Sequence, residues 1–404
     1  MLELENAVER ILAQVLPAKP EIIPLAEAQG RILAETIVSP VDLPGFDNSA
    51  MDGYAVRAAN LSAANTRTPA SARLVGRVAA GDIFDGEVRD GECVRVFTGS
   101  AMPPGADAVV IQEDTQPHPE KPELVSFLDA PKPWENVRFR GEDVKRGAII
   151  VRAGEEITAG RIGLLGAVGI TNVQAGRRPV VGLLATGSEL IEGGAQPAPG
   201  KIFESNRLML AALAARAGAI PRIFPLVPDT AADTRRALET AFAECDLVVS
   251  SGGVSVGEMD FVKTAFADLG GEMDFWKVAI RPGRPFVFGQ WQAKFLFGLP
   301  GNPVSAFVTF LLLVRPALRR WQGAAEIGLP TRAAVLADTL TNPGGRRHFM
   351  RVITDVRGQT HSSGANGSHL LGSLARANGL VDVPAGQTIP AGATVTVLQW
   401  ERPA

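Results

Sequence analysis

The stretch Pro179-Val180-Val181-Gly182-Leu183-Leu184-Ala185, followed by Thr186-Gly187-Ser188-Glu189, decides the fold of this 404-residue chain. Its apolar half predicts a buried strand, and its polar half predicts a loop at the carboxyl end of that strand. A helix begins near residue 206, where Asn206 would be its N-cap. A second buried strand, Asp246–Ser250, leads into a glycine-rich segment, and Asp260 begins the helix that follows. Strands that alternate with helices in this way predict a doubly wound α/β domain, which we place over residues 178–327.

The hydrophobic pattern of the sequence on either side of this domain is different. Residues 1–41 open with apolar residues at helical spacing, so we expect an N-terminal helix that ends at Pro17. Short alternating apolar runs over residues 42–139 predict a β-rich domain. Residues 140–177 are mixed in character, and residues 328–404 are again strand-like.

The composition excludes several classes of protein. There are 40 Lys and Arg residues against 43 Asp and Glu residues, and the resulting net charge of −3 does not suit a nucleic-acid-binding protein. The longest uncharged apolar stretch, Pro303–Val314, is too short to span a membrane. Cys93 and Cys245 are the only cysteines, so neither a disulfide framework nor a CxxC zinc site is expected. We therefore expect a soluble multidomain protein of the reducing cytoplasm.

Polar segments at the carboxyl ends of the predicted strands are the first candidates for chemistry, because ligands bind at that edge of an open α/β sheet. The glycine-rich segment Ser251–Gly257 could cradle a phosphate with its backbone N–H groups, although the pattern also fits an ordinary tight turn. Three acidic residues follow apolar runs, and together they could bind Mg²⁺ through oxygen ligands. Each of them alone also fits a helix cap; they are Glu189, Asp229 and Asp260.

Two other segments carry candidate residues. Lys277, Arg281 and Arg284 lie in a run stiffened by proline and glycine, which suits an anion held in one geometry. Asp52-Gly53 lies between apolar residues, so a hairpin turn is the default prediction there. That turn does not explain the polar cluster Asp47–Ser49 beside it.

The run Pro44-Gly45-Phe46-Asp47-Asn48-Ser49-Ala50-Met51-Asp52-Gly53-Tyr54-Ala55 resembles the signature of the MoeA family, which contains the molybdopterin molybdenumtransferases and the E domain of gephyrin. The likeness continues in order along essentially the whole chain, through Thr98-Gly99, Thr186–Glu189, Ser250–Gly257, Gly298–Ser305 and Gly367–His369. It departs from the family pattern at Arg281 and Arg284, where lysines are typical.

The resemblance implies a fold class and an activity. The fold class is a multidomain α/β protein with a central doubly wound domain of the molybdopterin-binding type and a C-terminal β-barrel-like domain. Residues 1–41 and 140–177 would fold together, with the β-rich domain as an insertion. The activity is the insertion of molybdate into adenylylated molybdopterin, with release of AMP and formation of molybdenum cofactor. Mg²⁺, a homodimer and the molybdopterin adenylyltransferase are the implied ion, assembly and further partner.

The resemblance also assigns roles to individual residues. The expected catalytic residues are Asp52, Thr98, Asp260, Lys277 and Arg281. The residues expected to bind the substrate are Ser251, Gly252, Gly253, Ser255, Gly257, Pro300, Arg351 and Ser368. The expected Mg²⁺ ligands are Glu189, Asp229 and Asp260.

Other functions stay open at this point. A non-catalytic scaffold like gephyrin is disfavoured, because the chain has no long charged or proline-rich linker. A nicotinamide-dependent dehydrogenase is disfavoured because the glycine-rich segment lacks the GxGxxG spacing. An anion- or nucleotide-binding module without catalysis remains an alternative.

Overall fold

The computed structural model describes residues 1–118, 120–254 and 261–401. They form two compact units. The first, which we call the α/β–barrel unit, comprises Met1–Glu35, Ala153–Thr158 and Asn172–Ala404. The second, the β-rich unit, comprises Thr36–Arg152 and Ala159–Thr171. The four-part division read from the sequence is finer than this grouping and stays a prediction.

The secondary structure of the first 171 residues is dominated by short strands. Residues before 36 form α1 (Leu4–Gln14) and β1 (Glu21–Pro24). The β-rich unit then contains β2 (Ile37–Val38), β3 (Asn48–Ser49), β4 (Gly53–Val56), β5 (Ala70–Val78), β6 (Glu92–Val96), β7 (Ala108–Ile111), β8 (Thr115–Pro117), β9 (Leu124–Phe127), β10 (Val137–Arg138), β11 (Ile149–Val151) and α2 (Ala159–Ala167).

Strands and helices alternate over the middle of the chain. This part contains β12 (Asn172–Ala175), β13 (Val180–Ala185), β14 (Leu190–Ile191), β15 (Ile202–Phe203), α3 (Asn206–Arg216), β16 (Ile220–Ile223), α4 (Ala231–Glu244), β17 (Leu247–Ser251), α5 (Phe261–Asp268), β18 (Glu272–Lys277), β19 (Ile280–Arg281), β20 (Pro285–Trp291), β21 (Lys294–Leu299), α6 (Pro303–Thr309) and α7 (Arg315–Trp321).

The last part of the chain is again built mainly of strands. It contains β22 (Thr331–Leu336), β23 (Leu340–Thr341), β24 (Arg347–Thr354), β25 (Gln359–Ser362), α8 (Leu371–Arg376), β26 (Gly379–Val383), β27 (Thr388–Ile389) and β28 (Thr394–Gln399). Among the described residues, 3-10 helices occur at Leu25–Glu27, Ala58–Leu61 and Gln112–Asp114, and Phe310–Val314 is a π-helical stretch between α6 and α7. No helix within the described ranges is long and apolar enough to cross a membrane.

The predicted doubly wound domain is confirmed by a six-stranded sheet in the order β16-β13-β17-β21-β20-β18. The first four strands are parallel, β20 is antiparallel to β21, and β18 is antiparallel to β20. Because side chains alternate across a strand, Leu183 packs against α3 on one face while Leu184 packs against α4 on the other. The N-terminal helix is also confirmed, and it buries Leu4 and Ile11 in the core that contains Leu183.

The predicted C-terminal β domain is a closed barrel. Strands β24, β25, β22, β28 and β26 pair in that order, and β26 pairs back onto β24. The short strand β19 extends this sheet and joins it to the α/β part, because Arg281 pairs in register with His348 of β24. This pairing brings the proline-stiffened segment Arg281–Pro285 next to the barrel.

The default prediction of a hairpin turn at Asp52-Gly53 is wrong. β3 pairs with β10, whereas β4 pairs with β6 and β7, so the strands on either side of Asp52 do not pair with each other. Residue 53 must be a glycine because β4 and β7 approach each other closely there. A Cβ at Gly53 would lie 2.0 Å from the Val110 carbonyl oxygen. The six-stranded sheet β7-β4-β6-β5-β9-β8 does confirm the predicted β-rich domain.

Candidate functional site

A cavity of about 690 Å³ lies at the carboxyl ends of β13, β17 and β21, where the sequence placed the ligand site. We call it the acidic cavity because three carboxylate residues line it, Glu189, Glu204 and Asp229. Its lining includes Thr186, Glu189, Asn206, Asp229, Ser251 and Pro300. It lies entirely within the α/β–barrel unit.

The floor of the acidic cavity depends on two glycines in left-handed conformations. Gly252 has φ +89°, and a Cβ there would lie 2.6 Å from the Thr186 carbonyl oxygen. Gly253 has φ +68°, and its Cβ would lie 2.7 Å from Val262 Cγ2. No other residue type allows the loop after β17 to turn this close to the loop after β13.

Asn206 has a different role from the helix cap expected at that position. Ser205 is the N-cap of α3, and Asn206 is the first helical residue. Its amide Nδ2 donates hydrogen bonds to Ser251 Oγ at 2.8 Å and to the Gly301 carbonyl oxygen at 2.7 Å. Asn206 therefore ties together the loops after β17 and β21.

Several polar atoms of this region are buried without a hydrogen-bond partner among the described residues. They are Thr186 Oγ1, Asn206 Oδ1 and Ser250 Oγ. Buried polar atoms are rarely left unpartnered in a folded protein, because each carries a desolvation cost. Thr186 and Asn206 line the cavity, so a polar ligand there would satisfy them.

The predicted carboxylates divide into two that line this cavity and one that lies outside the described residues. Glu189 and Asp229 line the cavity. Asp229 is not a helix cap, since Thr230 caps α4, and its carboxylate accepts a hydrogen bond from the Ser188 backbone N–H at 2.7 Å. Asp260 falls outside the described residues, as do Ser255 and Gly257. Within the described ranges, no group of three or more His, Cys, Asp or Glu side chains could hold a metal ion.

A second cavity of about 400 Å³ adjoins the first, because Pro285 and His369 line both. We call it the basic cavity. Its side chains include three guanidinium groups and two hydroxyls; they belong to Arg281, Arg284, Arg346, Ser305 and Ser368.

The positive charge of the basic cavity is not neutralised by the described part of the chain, in which none of its three arginines forms an ion pair. Burial lowers the pKa of Arg346, and the positive charges of Arg284 and Arg281 lower it further. Such crowding of like charges is stabilised by a bound anion, and guanidinium groups match tetrahedral oxyanions geometrically.

A buried histidine lies behind these arginines. His348 is 3% exposed, and neither of its ring nitrogens has a hydrogen-bond partner among the described residues. Burial lowers its pKa to about 4, and the positive charges of Arg281, Arg351 and Arg346 act in the same direction. The imidazole is therefore neutral at physiological pH and adds no charge to the cluster.

Arg351, predicted to bind the substrate, and Lys277, predicted to be catalytic, do not line either cavity. Arg351 is fully buried, and its Nη2 donates to the Ala365 carbonyl at 2.8 Å and to the Gly367 carbonyl at 3.3 Å. It therefore holds the loop that presents Ser368 to the basic cavity. The ammonium group of Lys277 lies 3.8 Å from the centre of the Trp276 ring, an arrangement that favours a cation–π contact.

Asp52 and Thr98 form a pair in the β-rich unit. Asp52 Oδ1 accepts hydrogen bonds from the Thr98 backbone N–H at 2.8 Å and from its hydroxyl at 2.9 Å. The backbone bond is the main cause of a lowered pKa at Asp52, and the hydroxyl bond adds to it. Asp52 is thus an exposed, ionised carboxylate in a fixed position.

Two residues that line the cavities were not predicted as site residues from the sequence. Asn206 was assigned to the helix start because Asn is common there, and only the fold shows that its amide joins two loops. Arg346 carried no motif signal, because it reaches the basic cavity through the pairing of β19 with β24. The consecutive pair Arg346-Arg347 between a glycine pair and a strand was the one available hint.

Family models match three consecutive parts of the chain. They are the MoeA N-terminal region (domain I and II) over residues 2–169, the probable molybdopterin binding domain over residues 182–320, and the MoeA C-terminal region (domain IV) over residues 333–400.

Individual proteins also resemble the chain over nearly its whole length. A molybdopterin molybdenumtransferase of Haemophilus influenzae is 38% identical, with 98% of each chain covered. Molybdopterin molybdenumtransferase 2 of Mycobacterium tuberculosis is 38% identical over 93% of this chain and 94% of that one. The crystal structure of the molybdopterin biosynthesis moeA protein of Pyrococcus horikoshii OT3 has a TM-score of 0.84 and 31% identity, and covers 99% of this chain and 100% of that one.

Proposed function

This chain belongs to the MoeA family, and we propose that it inserts molybdate into adenylylated molybdopterin, releasing AMP and forming molybdenum cofactor. The proposal makes the chain a transferase of molybdenum cofactor biosynthesis, the role that the names of its relatives describe. The observation that carries the proposal is the basic cavity, whose arginines lack anionic partners among the described residues and which adjoins a cavity lined by carboxylates.

The two cavities suit the two reactants of the proposed reaction: the basic cavity suits molybdate, and the acidic cavity suits the phosphates of adenylylated molybdopterin. Molybdate is a tetrahedral oxyanion, and Arg281, Arg284 and Arg346 provide the donors that such an anion needs. Ser305 and Ser368 add hydroxyl groups on the same lining. In the adjoining acidic cavity, Gly252 and Gly253 of the loop after β17 form part of the lining, and we propose that the phosphates of the substrate bind beside them.

Glu189 and Asp229 are suitable ligands for Mg²⁺. Mg²⁺ in enzymes is commonly bound by one or two carboxylates together with substrate phosphates, and both carboxylates line the acidic cavity. When bound, the ion would neutralise charge on the phosphoanhydride as AMP leaves. Asp260, the third expected ligand, lies outside the described residues.

The residues of the chain contribute positioning and charge. The arginines of the basic cavity hold the oxyanion, and Arg351 fixes the loop that carries Ser368. Asn206 fixes the loops after β17 and β21 to each other, so the cavity floor keeps its shape when a ligand binds. Phosphoanhydride cleavage depends mainly on such placement and charge neutralisation.

We also propose a homodimer in which each site takes Asp52 from the partner subunit. The fixed, ionised carboxylate of Asp52 supports a role outside folding, since it lies at an exposed bend of the β-rich unit. If the site is shared, mixing Asp52→Ala chains with Glu189→Ala chains gives about half heterodimers, each with one intact site, and recovers about a quarter of wild-type activity. No recovery on mixing would contradict the shared site, and sedimentation as a monomer would contradict the dimer.

We also propose that the enzyme works in the cytoplasm and receives its substrate from a partner enzyme. Both cysteines are buried and free, which suits a reducing compartment such as the cytoplasm. The molybdopterin adenylyltransferase, which makes the proposed substrate, is the partner proposed to deliver it.

The direct test supplies purified chain with adenylylated molybdopterin, molybdate and Mg²⁺, and measures AMP release together with activation of a cofactor-free molybdoenzyme. We expect both, and we expect Arg281→Ala to abolish most of the activity. Arg235→Ala is the matched control, because Arg235 is an exposed arginine of α4 that lines neither cavity. Binding of the substrate without AMP release would instead favour a non-catalytic binding module.

A further inference from the structure

The acidic cavity has an apolar wall that the chemistry proposed above does not use. Strand β15 lies on the lining, and its two side chains, Ile202 and Phe203, are 58% and 48% exposed. A strand normally buries one face in a core, whereas this one exposes both residues. Both residues line the cavity, so β15 offers apolar surface there to an apolar part of a ligand.

The wall is held in place from both sides. The Ile202 backbone N–H donates to the Glu189 carbonyl at 2.8 Å, and the Glu204 N–H donates to the Ile191 carbonyl at 2.9 Å. Glu204 is buried, and its carboxylate pairs with the buried Arg207 at 2.9 Å. The backbone that carries Phe203 is thus fixed before any ligand binds, which lowers the entropy cost of binding.

A fixed hydrogen-bond acceptor lies on the same lining. Both Nδ2 hydrogens of Asn206 are directed to oxygen atoms of the cavity loops, so the orientation of the amide is determined. Its Oδ1 is buried and has no partner among the described residues. An acceptor fixed in this way is satisfied by a ligand N–H group.

An apolar face and an acceptor together select a flat heterocycle with N–H donors at its edge. Of the two ring systems in the proposed substrate, the pterin carries an amino group next to a ring N–H, so it presents adjacent donors. The corresponding edge of adenine presents an amino donor next to a ring-nitrogen acceptor. The two lone pairs of Asn206 Oδ1 can accept from both adjacent donors of the pterin, whereas at adenine one of them would face a ring-nitrogen acceptor, so this oxygen favours the pterin.

We infer that Phe203 and Asn206 form the subsite for the pterin ring, with Phe203 packing on the face of the ring and Asn206 Oδ1 accepting a hydrogen bond from its edge. This inference rests on the proposed function for the identity of the substrate. It places the ring in the acidic cavity, and the adjoining basic cavity takes the oxyanion.

The first test measures binding of 6-hydroxymethylpterin by the anisotropy of its own fluorescence, with AMP as a second probe. Phe203→Ala should weaken pterin binding about tenfold, and Phe203→Trp should retain it, because an aromatic face is kept. Leu208→Ala, an exposed leucine of α3 that does not line the cavity, should leave it unchanged. Weaker AMP binding with unchanged pterin binding in Phe203→Ala would overturn the assignment.

The second test uses lumazine, in which an oxo group replaces the 2-amino donor of pterin. Wild type should bind pterin more tightly than lumazine, and Asn206→Ala should lose this preference, an effect that a purely structural role of Asn206 would not produce. Lumazine keeps a ring N–H, so equal wild-type affinities for the two rings would refute the 2-amino group as a donor to Asn206 Oδ1.

The outcomes also separate the subsite from the proposed function. Normal cofactor formation and normal pterin binding by Phe203→Ala would overturn the subsite and leave the function standing. A Phe203-dependent pterin site in a wild-type chain that forms no cofactor would overturn the function and leave the subsite standing.

Discussion

The acidic and basic cavities adjoin each other but are built in different ways. The acidic cavity is formed by loops that directly follow the parallel strands β13, β17 and β21. The basic cavity combines the segment Arg281–Pro285 with loops of the barrel, which β19 and β24 bring together. The first therefore depends on tight backbone approaches, whereas the second depends on accumulated charge.

The largest effect on stability should come from Gly252→Ala, which tests the backbone approach. Gly252 and Gly194 both have φ +89°, but only Gly252 has a carbonyl oxygen 2.6 Å from the Cβ position, and Gly194 has nothing within 4 Å. We expect Gly194→Ala to cost about 1 kcal/mol and Gly252→Ala about 3 kcal/mol in the free energy of unfolding. Urea unfolding measures both, and equal losses would show that the close approach does not matter.

Arg281→Ala should have the largest effect on the basic cavity. Loss of a charged hydrogen-bond donor costs about 1.5–3 kcal/mol, so molybdate affinity should fall about 10- to 100-fold. Arg281→Lys keeps the charge without the planar fork and should fall between Ala and wild type. Titration calorimetry gives the affinities, and an Ala variant that binds like wild type would remove Arg281 from the site.

The buried histidine predicts how stability changes with pH. The pKa of His348 is lowered from 6.5 to about 4 in the folded chain, chiefly by burial. Below about pH 6.5 the unfolded chain takes up a proton that the folded chain does not, so this contribution is complete above that pH and is lost as the pH falls towards 4. At pH 5 the loss should be about 2 kcal/mol relative to pH 7.5.

His348→Gln tests this contribution. The variant has no group that titrates here, so its unfolding free energy should fall by about 2 kcal/mol less than that of wild type between pH 7.5 and pH 5. Parallel stability curves for the two proteins would contradict the lowered pKa.

The smallest effect should be that of Ser251→Ala in the acidic cavity. The Ser251 hydroxyl accepts from Asn206 Nδ2 at 2.8 Å and donates to the Pro300 carbonyl at 3.3 Å. Asn206 keeps its bond to the Gly301 carbonyl, so we expect a loss of about 1 kcal/mol in unfolding free energy. A loss as large as that of Gly252→Ala would show that the side-chain bonds dominate over the backbone approach.

The difference between the acidic and basic cavities explains what could be predicted from the sequence. The strands β13 and β17 and the cavity residues after them follow from a local pattern, because an apolar run fixes where the carboxyl end of a strand lies. Glu189 and Asp229 were located in this way. The positions of Arg346 and His348 could not be, because they depend on a strand pairing between distant segments.

Side-chain roles were harder to predict than strand positions. Arg351 was expected at the anion, but it is fully buried and binds the backbone of the loop 365–367. Asn206 was expected as a cap, but Ser205 occupies that position. In both cases the residue type allows several hydrogen-bonding roles, and the packing of distant loops decides among them.

The central claim is that the arginines of the basic cavity hold the molybdate. Anomalous diffraction from crystals of the chain soaked in molybdate locates molybdenum without reference to any activity. The account predicts one strong molybdenum peak in the basic cavity, placed so that molybdate oxygens lie within hydrogen-bonding distance of the Arg281 guanidinium and the Ser368 hydroxyl, and no peak there in Arg281→Ala crystals. A molybdenum peak elsewhere in wild-type crystals, with the basic cavity empty, would contradict it.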